Sequence, residues 1–148
     1  MKKYVIIAGV NGAGKIAVEK ITEYLNSGVS FNQETTLCGK SIIKNIIKAK
    51  ELGYFIELHY VSVDSVQIAK DRVKHRGENG GHGIPERDIE KRYIETFQQL
   101  NYILKMCNLV AFYDNTESFR RFAICKNGEL VRISNKVPAW FDKVEVRD

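Results

Sequence analysis

The sequence predicts an α/β protein in which helices flank a parallel β-sheet and a β-hairpin follows near the end of the chain. Three features indicate this fold class. Short, nearly continuous apolar runs alternate with segments of helical periodicity. A glycine-rich turn follows the first apolar run. An Asn-Gly pair joins two β-like runs late in the chain, which is the strongest short signal for a hairpin.

The first four elements follow from the spacing of apolar residues. The run YVIIAG, residues 4–9, has the character of a parallel strand that is buried on both faces. A helix is expected over residues 13–26, and the run VSFNQETTL, residues 29–37, predicts the second strand. Over residues 39–52, isoleucines recur on one side of a helix and lysines on the other. A glycine follows each of these helices, where it can end them in the left-handed conformation.

The second half of the chain continues the alternation. The run YFIELHYVSV, residues 54–63, predicts the third strand, and Ser65 is placed to cap the next helix. The segment HRGENGGHGIP, residues 75–85, breaks all periodicity and predicts a loop. Pro85 then opens a long helix, because proline is tolerated in the first turn. The apolar side of this helix consists of Ile89, Tyr93, Phe97, Leu100 and Leu104. The run NLVAFY, residues 108–113, predicts a further buried strand.

Composition narrows the functional classes. No apolar run approaches the length of a membrane span, so no membrane role is expected. Three cysteines without a C-x-x-C spacing favour a reduced, cytoplasmic setting. The net charge of +5 is compatible with RNA binding. However, most lysines of the second helix follow one polar face, which favours a solvated surface over a nucleic-acid groove.

The stretch GVNGAGK, residues 9–15, has the spacing of a phosphate-binding loop, G-x-x-x-x-G-K-[ST]. It follows a buried strand and opens a helix, where backbone N–H groups and the helix N-terminus can hold a phosphate. The alternative is a tight glycine turn without a ligand. Ile16 stands where Ser or Thr would hold Mg²⁺, so a weakened metal site is expected. The expected nucleotide contacts are Gly9, Asn11, Gly12, Ala13, Gly14, Lys15 and Ile16.

Three further stretches resemble the zeta-toxin-like P-loop kinases: SFNQETTLCGKSIIKNIIKAKELGYFIELHYVSV, AKDRVKHRGENGGHGIPERDIEKRYIETFQQL and FYDN. The combination of the E-T-T-L segment with the G-G-H-x-[VI]-P loop is the specific part. The resemblance covers most of the chain and implies one nucleoside-kinase-like P-loop domain over residues 1–148. It implies ATP as phosphate donor, with Mg²⁺, and a nucleotide sugar such as UDP-N-acetylglucosamine as acceptor. It leaves open a protein antitoxin as partner.

The resemblance also assigns roles to side chains near the expected loop. Lys15 would pair with the β- and γ-phosphates of ATP. Glu34 and Thr35 resemble the substrate-side pair of the family, at the end of the second strand. A strand's carboxyl end opens into the ligand crevice of a parallel sheet, so this placement suits a binding role. For the threonine, ordinary β-propensity is the alternative.

Two arginines flank the second glycine-rich segment, and the resemblance gives them a catalytic role. Arg76 and Arg92 would stabilise the negative charge of a transferring phosphoryl group. The alternative is salt bridging to neighbouring acids. Residues 77–84 contain four glycines and are expected to form the most mobile internal segment, a lid over the phosphates.

The chain departs from the family pattern at two places. One is Ile16, and the other is the segment between Lys15 and Gly28. Relatives carry an N-x-D motif there, whose Asp is the catalytic base, and several dozen residues are missing from this chain. Three functions are therefore open: an impaired small-molecule kinase, a pseudokinase that binds nucleotide or a protein partner, and a basic RNA-binding module.

Overall fold

A computed structural model describes residues 1–9, 18–78 and 85–146, and these form a mixed β-sheet flanked by helices. The α/β class predicted from the sequence is confirmed. No helix in these ranges is both long and apolar enough to cross a membrane. The elements are β1 (Lys3–Gly9), α1 (Val18–Ser27), β2 (Phe31–Thr35), α2 (Ser41–Glu51), β3 (Phe55–Ser62), α3 (Val66–Glu78), α4 (Glu86–Ile103), β4 (Leu109–Asp114), β5 (Arg120–Lys126), β6 (Glu129–Ile133) and the 3₁₀ helix Ala139–Lys143.

The strands lie in the order β2-β1-β3-β4-β5-β6. The first four are mutually parallel, and β5 and β6 add an antiparallel hairpin. Strand β1 is therefore interior, as the run YVIIAG predicts. The hairpin turns at Asn127 and Gly128, which have φ angles of 52° and 82°. Positive φ at both positions is the requirement that makes Asn-Gly a strong hairpin signal, so the predicted hairpin is confirmed.

The residues predicted to end or begin the helices also lie at helix ends in the structure. Gly28 and Gly53 have φ angles of 75° and 80°, so both helices end in the left-handed conformation. The backbone N–H of Ile68 donates to the Ser65 hydroxyl at 3.2 Å, which makes Ser65 the cap of α3. Pro85, with φ of −55°, stands immediately before the first residue of α4.

Two predicted boundaries are wrong. Strand β2 is shorter than residues 29–37, because its end turns sharply at Leu37, whose φ is 62°. Helix α3 reaches Glu78, so residues 75–78 of the predicted loop are helical. A single glycine costs a helix only about 1 kcal/mol, which the rest of α3 can offset. Residues 79–84, the remainder of the predicted lid, lie outside the described residues.

One face of the sheet carries the core. Alternate strand residues such as Tyr4, Ile6 and Tyr60 are fully buried there. The buried apolar side chains of α1, α2, α3 and α4 all belong to the same cluster as these strand residues. Trp140, on the 3₁₀ helix, completes it with ring contacts to Tyr60, Phe97, Phe122 and Phe141. The core therefore lies in a single layer between the sheet and the helices.

The opposite face is open among the described residues, so the prediction that β1 is buried on both faces is wrong. Ile7 is 42% exposed and Val5 is only half-buried. The reason is that the apolar sides of the described helices are all directed at the other face. We call this surface the open face. One of its rows crosses all six strands through paired residues: Glu34, Ile7, His59, Ala111, Ile124 and Arg132.

Candidate functional site

The chain reverses its direction of travel across the sheet at β1. It leaves β1 for β2 on one side and then crosses to β3 on the other. In open α/β sheets with helices on both faces, ligands bind at the carboxyl ends of the strands beside such a reversal. Gly9 ends β1 at this reversal, paired with Val61. A Cβ at Gly9 would lie 3.6 Å from the carbonyl oxygen of Val61, an ordinary contact, so this neighbour does not itself require glycine.

The other predicted nucleotide contacts continue from this point. Asn11, Gly12, Ala13, Gly14, Lys15 and Ile16 lie outside the described residues. The described structure therefore shows only that the glycine-rich stretch begins at the carboxyl end of β1, and the nucleotide contacts stay a prediction.

The two predicted substrate-side residues, Glu34 and Thr35, are successive residues at the end of β2 and lie on opposite faces of the sheet. Thr35 pairs with buried Ala8, and its hydroxyl accepts a hydrogen bond of 3.0 Å from the N–H of Leu37. Glu34 pairs with Ile7 and is exposed. Successive strand residues point to opposite faces, so the two side chains cannot act as neighbours on this strand. Thr35 stands beside the carboxyl end of β1 and stabilises the turn, whereas Glu34 lies on the open face.

Helix α4 holds the turn that follows β2. The Cys38 thiol donates to the carbonyl oxygen of Arg92 at 3.6 Å, and the N–H of Gly39 donates to Glu95 Oε1 at 2.9 Å. The Gln99 amide donates to the carbonyl oxygen of Gly39. Half-buried Arg92 is thereby placed close to the carboxyl end of β2. The sequence analysis missed Glu95 and Gln99, although their spacing of three and seven residues from Arg92 places all three on one helix face.

Cys38 is a packing residue of this turn. Burial is the main cause that raises the pKa of its thiol, and the nearby Glu95 carboxylate adds to the effect. A hydrogen bond to Thr36 and the charge of Arg92 oppose it only partly. Because the thiolate is the nucleophile, a raised pKa argues against covalent chemistry at this residue.

Of the two arginines on α3 near the second glycine-rich segment, the structure describes the side chain of only Arg72. The Arg72 guanidinium donates to the carbonyl oxygen of Thr116 at 2.8 Å, so it holds the loop after β4. Arg76 lies in the last turn of α3, and its side chain is outside the described part of the chain. The predicted roles of Arg76 and Arg92 toward a phosphoryl group stay predictions.

Two carboxylates stand at the carboxyl ends of β3 and β4, beside a cavity of about 210 Å³. Asp64 Oδ1 accepts from the backbone N–H of Trp140 at 3.3 Å. Asp114 is buried, and its Oδ1 accepts from the Trp140 indole at 3.0 Å and from the Thr116 hydroxyl at 2.7 Å. Arg120 and Lys136 supply positive charge to the same cavity. Both aspartates therefore fasten the carboxyl-terminal segment to the sheet.

Burial and a hydrogen bond also hold the Tyr93 side chain in place, close to Asp64. Its hydroxyl donates to the carbonyl oxygen of Val63 at 2.8 Å. Burial, with a smaller contribution from the Asp64 charge, raises the pKa of Tyr93 to about 12. Among the described residues, no three His, Cys, Asp or Glu side chains form a group that could hold a metal ion.

Comparison with known proteins gives one informative match. A Haemophilus influenzae protein described only as uncharacterized is 36% identical over 81 residues. The aligned region spans 55% of this chain and 58% of that protein, which is less than two thirds of its length. No family model matches the chain, and no solved structure does. The chain is thus similar to that bacterial protein over just over half of its own length.

Proposed function

We propose that the chain is a nucleotide-binding P-loop protein of the zeta-toxin-like kinase type, which holds the phosphates of ATP in residues 9–16. The observation that carries this proposal is the position of β1. It lies between β2 and β3 at the reversal of the chain, and the phosphate-loop sequence begins where β1 ends. A crevice at this point is the usual ligand site of an open α/β sheet.

The surroundings of the crevice support the same proposal. Thr35 ends β2 beside β1, and α4 brings Arg92 to the same edge of the sheet. In the proposed complex Lys15 pairs with phosphate oxygens, and Arg92 adds a second positive charge nearby. When bound, Mg²⁺ would neutralise phosphate charge, and sites of this kind keep several water ligands on the metal. Ile16 supplies no oxygen to it.

Phosphoryl transfer by this chain is proposed to be slow, so that it acts as a nucleotide-binding pseudokinase or an impaired kinase. Loss of a positioned base costs about 10²–10⁴-fold in rate. Asp64 and Asp114 stand at the carboxyl ends of β3 and β4, but both carboxylates accept hydrogen bonds from Trp140. A nucleotide-sugar acceptor and a protein antitoxin are parts of the proposal that rest on the resemblance alone. A cytoplasmic location rests on the scarcity of cysteine.

Calorimetric titration with ATP, with and without Mg²⁺, tests the proposal. Lys15→Ala should weaken binding by about 1.5–3 kcal/mol, the usual weight of a hydrogen bond to a charged group. Lys20→Ala is the matched control, because Lys20 is an exposed lysine of α1 that lies 3.6 Å from Glu23. Unchanged ATP affinity in Lys15→Ala, or an equal loss in the control, would refute the proposal.

A further inference from the structure

The open face is a mixed surface, on which apolar residues such as Ile7 and Ile124 lie among charged side chains, and Glu34 and Arg132 stand at the two ends of one row. Parallel strands are normally covered on both faces, so exposed Ile7 on the interior strand β1 is unusual for this kind of sheet. Ile7 and Ile124 lie in the row that begins with exposed Glu34 on β2 and ends with exposed Arg132 on β6. The acidic and the basic residue thus occupy opposite edges of one sheet.

The polar groups in the middle of the open face are already paired with one another. His59 Nε2 lies 2.7 Å from Glu57 Oε2, and His59 Nδ1 lies 2.8 Å from the Tyr113 hydroxyl. The Lys3 ammonium is 3.8 Å from the other oxygen of Glu57. The Tyr113 ring in turn stacks on Phe119, with centroids 5.2 Å apart. A surface whose polar groups have partners can be covered at a smaller cost than one whose groups rely on water.

We propose that a second copy of this chain packs on the open face, with a two-fold axis parallel to the strands that passes between β3 and β4. This axis places Glu34 of each copy opposite Arg132 of the other. A two-fold axis across the strands would instead place Glu34 opposite Glu34, which is repulsive. Charge complementarity therefore selects the first arrangement.

Side-chain sizes along the same row fit this axis. Ile7 meets Ile124 of the second copy, so apolar side chains are paired. His59, which is large, meets Ala111, which is small. The fit is less good one row away, where Glu57 meets Leu109 and Val5 meets Lys126. There the contacts of Glu57 with His59 and Lys3 must be kept, and the Lys126 ammonium must reach solvent at the end of β5. Two twisted sheets pack in this way with their strands about 30° apart and about 10 Å between the sheets.

The available area indicates a weak dimer. Five strand spacings of about 4.8 Å and six residues at about 3.3 Å give on the order of 500 Å² per copy. Two copies then bury about 1,000 Å², the lower limit for a specific interface. A patch of this size suits weak, reversible self-association.

Sedimentation equilibrium of the full chain over a range of concentrations tests the proposal. The wild type should show a monomer–dimer equilibrium. Ile7→Lys should raise the dissociation constant about tenfold or more, because it buries an unpaired charge. Ile94→Lys is the control, since Ile94 is 60% exposed on α4, a helix that packs on the covered face. This control should dimerise as the wild type does.

Charge reversal tests the orientation, and it does not depend on the tolerance of the central strand for Lys. Glu34→Arg and Arg132→Glu should each weaken the dimer, and the two together should restore it, because the opposed pair is re-formed with reversed sign. A wild type that stays monomeric overturns the proposal. So does equal weakening by Ile94→Lys, or a double variant no better than either single one.

Discussion

The indole nitrogen of Trp140 donates a hydrogen bond of 3.0 Å to Oδ1 of Asp114 and so joins the 3₁₀ helix to the end of β4. The same oxygen accepts from the Thr116 hydroxyl, and the Arg120 guanidinium lies 3.8 Å from the second oxygen. Trp140 is 1% exposed and Asp114 is 6% exposed, so both members of the pair are buried. Hydrogen bonds to buried charged groups are among the stronger ones in proteins.

Trp140→Phe should lower the free energy of unfolding by about 2 kcal/mol, because the ring stays apolar and the bond to the Asp114 carboxylate is lost. Urea unfolding followed by far-UV circular dichroism measures the change, since Trp140 is the chain's single tryptophan. Tyr102→Phe is the control; Tyr102 is 58% exposed, and its removal should change stability by less than about 0.5 kcal/mol. An unaltered urea midpoint for Trp140→Phe would contradict the role given to this pair.

Ile16→Ser should strengthen ATP binding only when Mg²⁺ is present. The new hydroxyl offers the metal an oxygen ligand, which magnesium prefers. Phosphoryl transfer to UDP-N-acetylglucosamine should stay slow, because the substitution supplies no base. Titrations with and without Mg²⁺ measure the first effect, and a product assay measures the second.

Ile16→Ala is the control for that experiment, because it removes the bulk of the side chain without adding an oxygen. An equal gain in this variant would show that bulk, and not ligation, limits binding. Rapid turnover by the wild-type chain would contradict both halves of the prediction.

Alkaline pH should destabilise the fold through its buried thiols. Burial raises the pKa of Cys107 to about 12 and that of Cys125 to about 11, from an ordinary value of 9.0. A group whose pKa is higher in the folded state contributes its full stabilisation below the ordinary value and loses it as pH rises toward the folded value. The free energy of unfolding should therefore be level through neutral pH and fall above about pH 9.

Urea midpoints measured across this pH range check the prediction. Replacing both Cys107 and Cys125 by alanine should flatten the alkaline part of the curve, although the variant starts from a lower stability because cavities are created. The same slope in the variant and in the wild type would assign the alkaline loss to other groups, among them Tyr93.

Much of the fold could be predicted because its signals are local. Gly28 and Gly53 end helices because glycine readily adopts a positive φ. Asn127 and Gly128 form the hairpin turn for the same local reason. The cap at Ser65 is of the same kind. These features need no knowledge of the rest of the molecule.

The open face could not be predicted, because it depends on tertiary packing. A run such as residues 4–9 is equally apolar whether one face or both faces are covered. Which face receives a helix is decided by the directions of several helices together. The same holds for Glu34 and Thr35, whose neighbouring positions in sequence place them on opposite faces.

The candidate site was only partly predictable. Gly9 ends β1, as the strand before the glycine-rich stretch predicts, and Arg92 stands near the end of β2 because α4 holds the turn after that strand. Trp140 gave a signal that could have been used. It is the single tryptophan of the chain and stands directly before Phe141, and large aromatic residues of that kind are mostly buried.

The position of Trp140 also governs when the protein can finish folding. Its bond with Asp114 spans 26 residues and its bond with Asp64 spans 76. During synthesis, the helices α1 to α4 and the four parallel strands, the last of which ends at Asp114, are made before Trp140. Until Trp140 has emerged, a nascent chain carries an unsealed aromatic core, and such a chain is exposed to aggregation and to chaperones during that time.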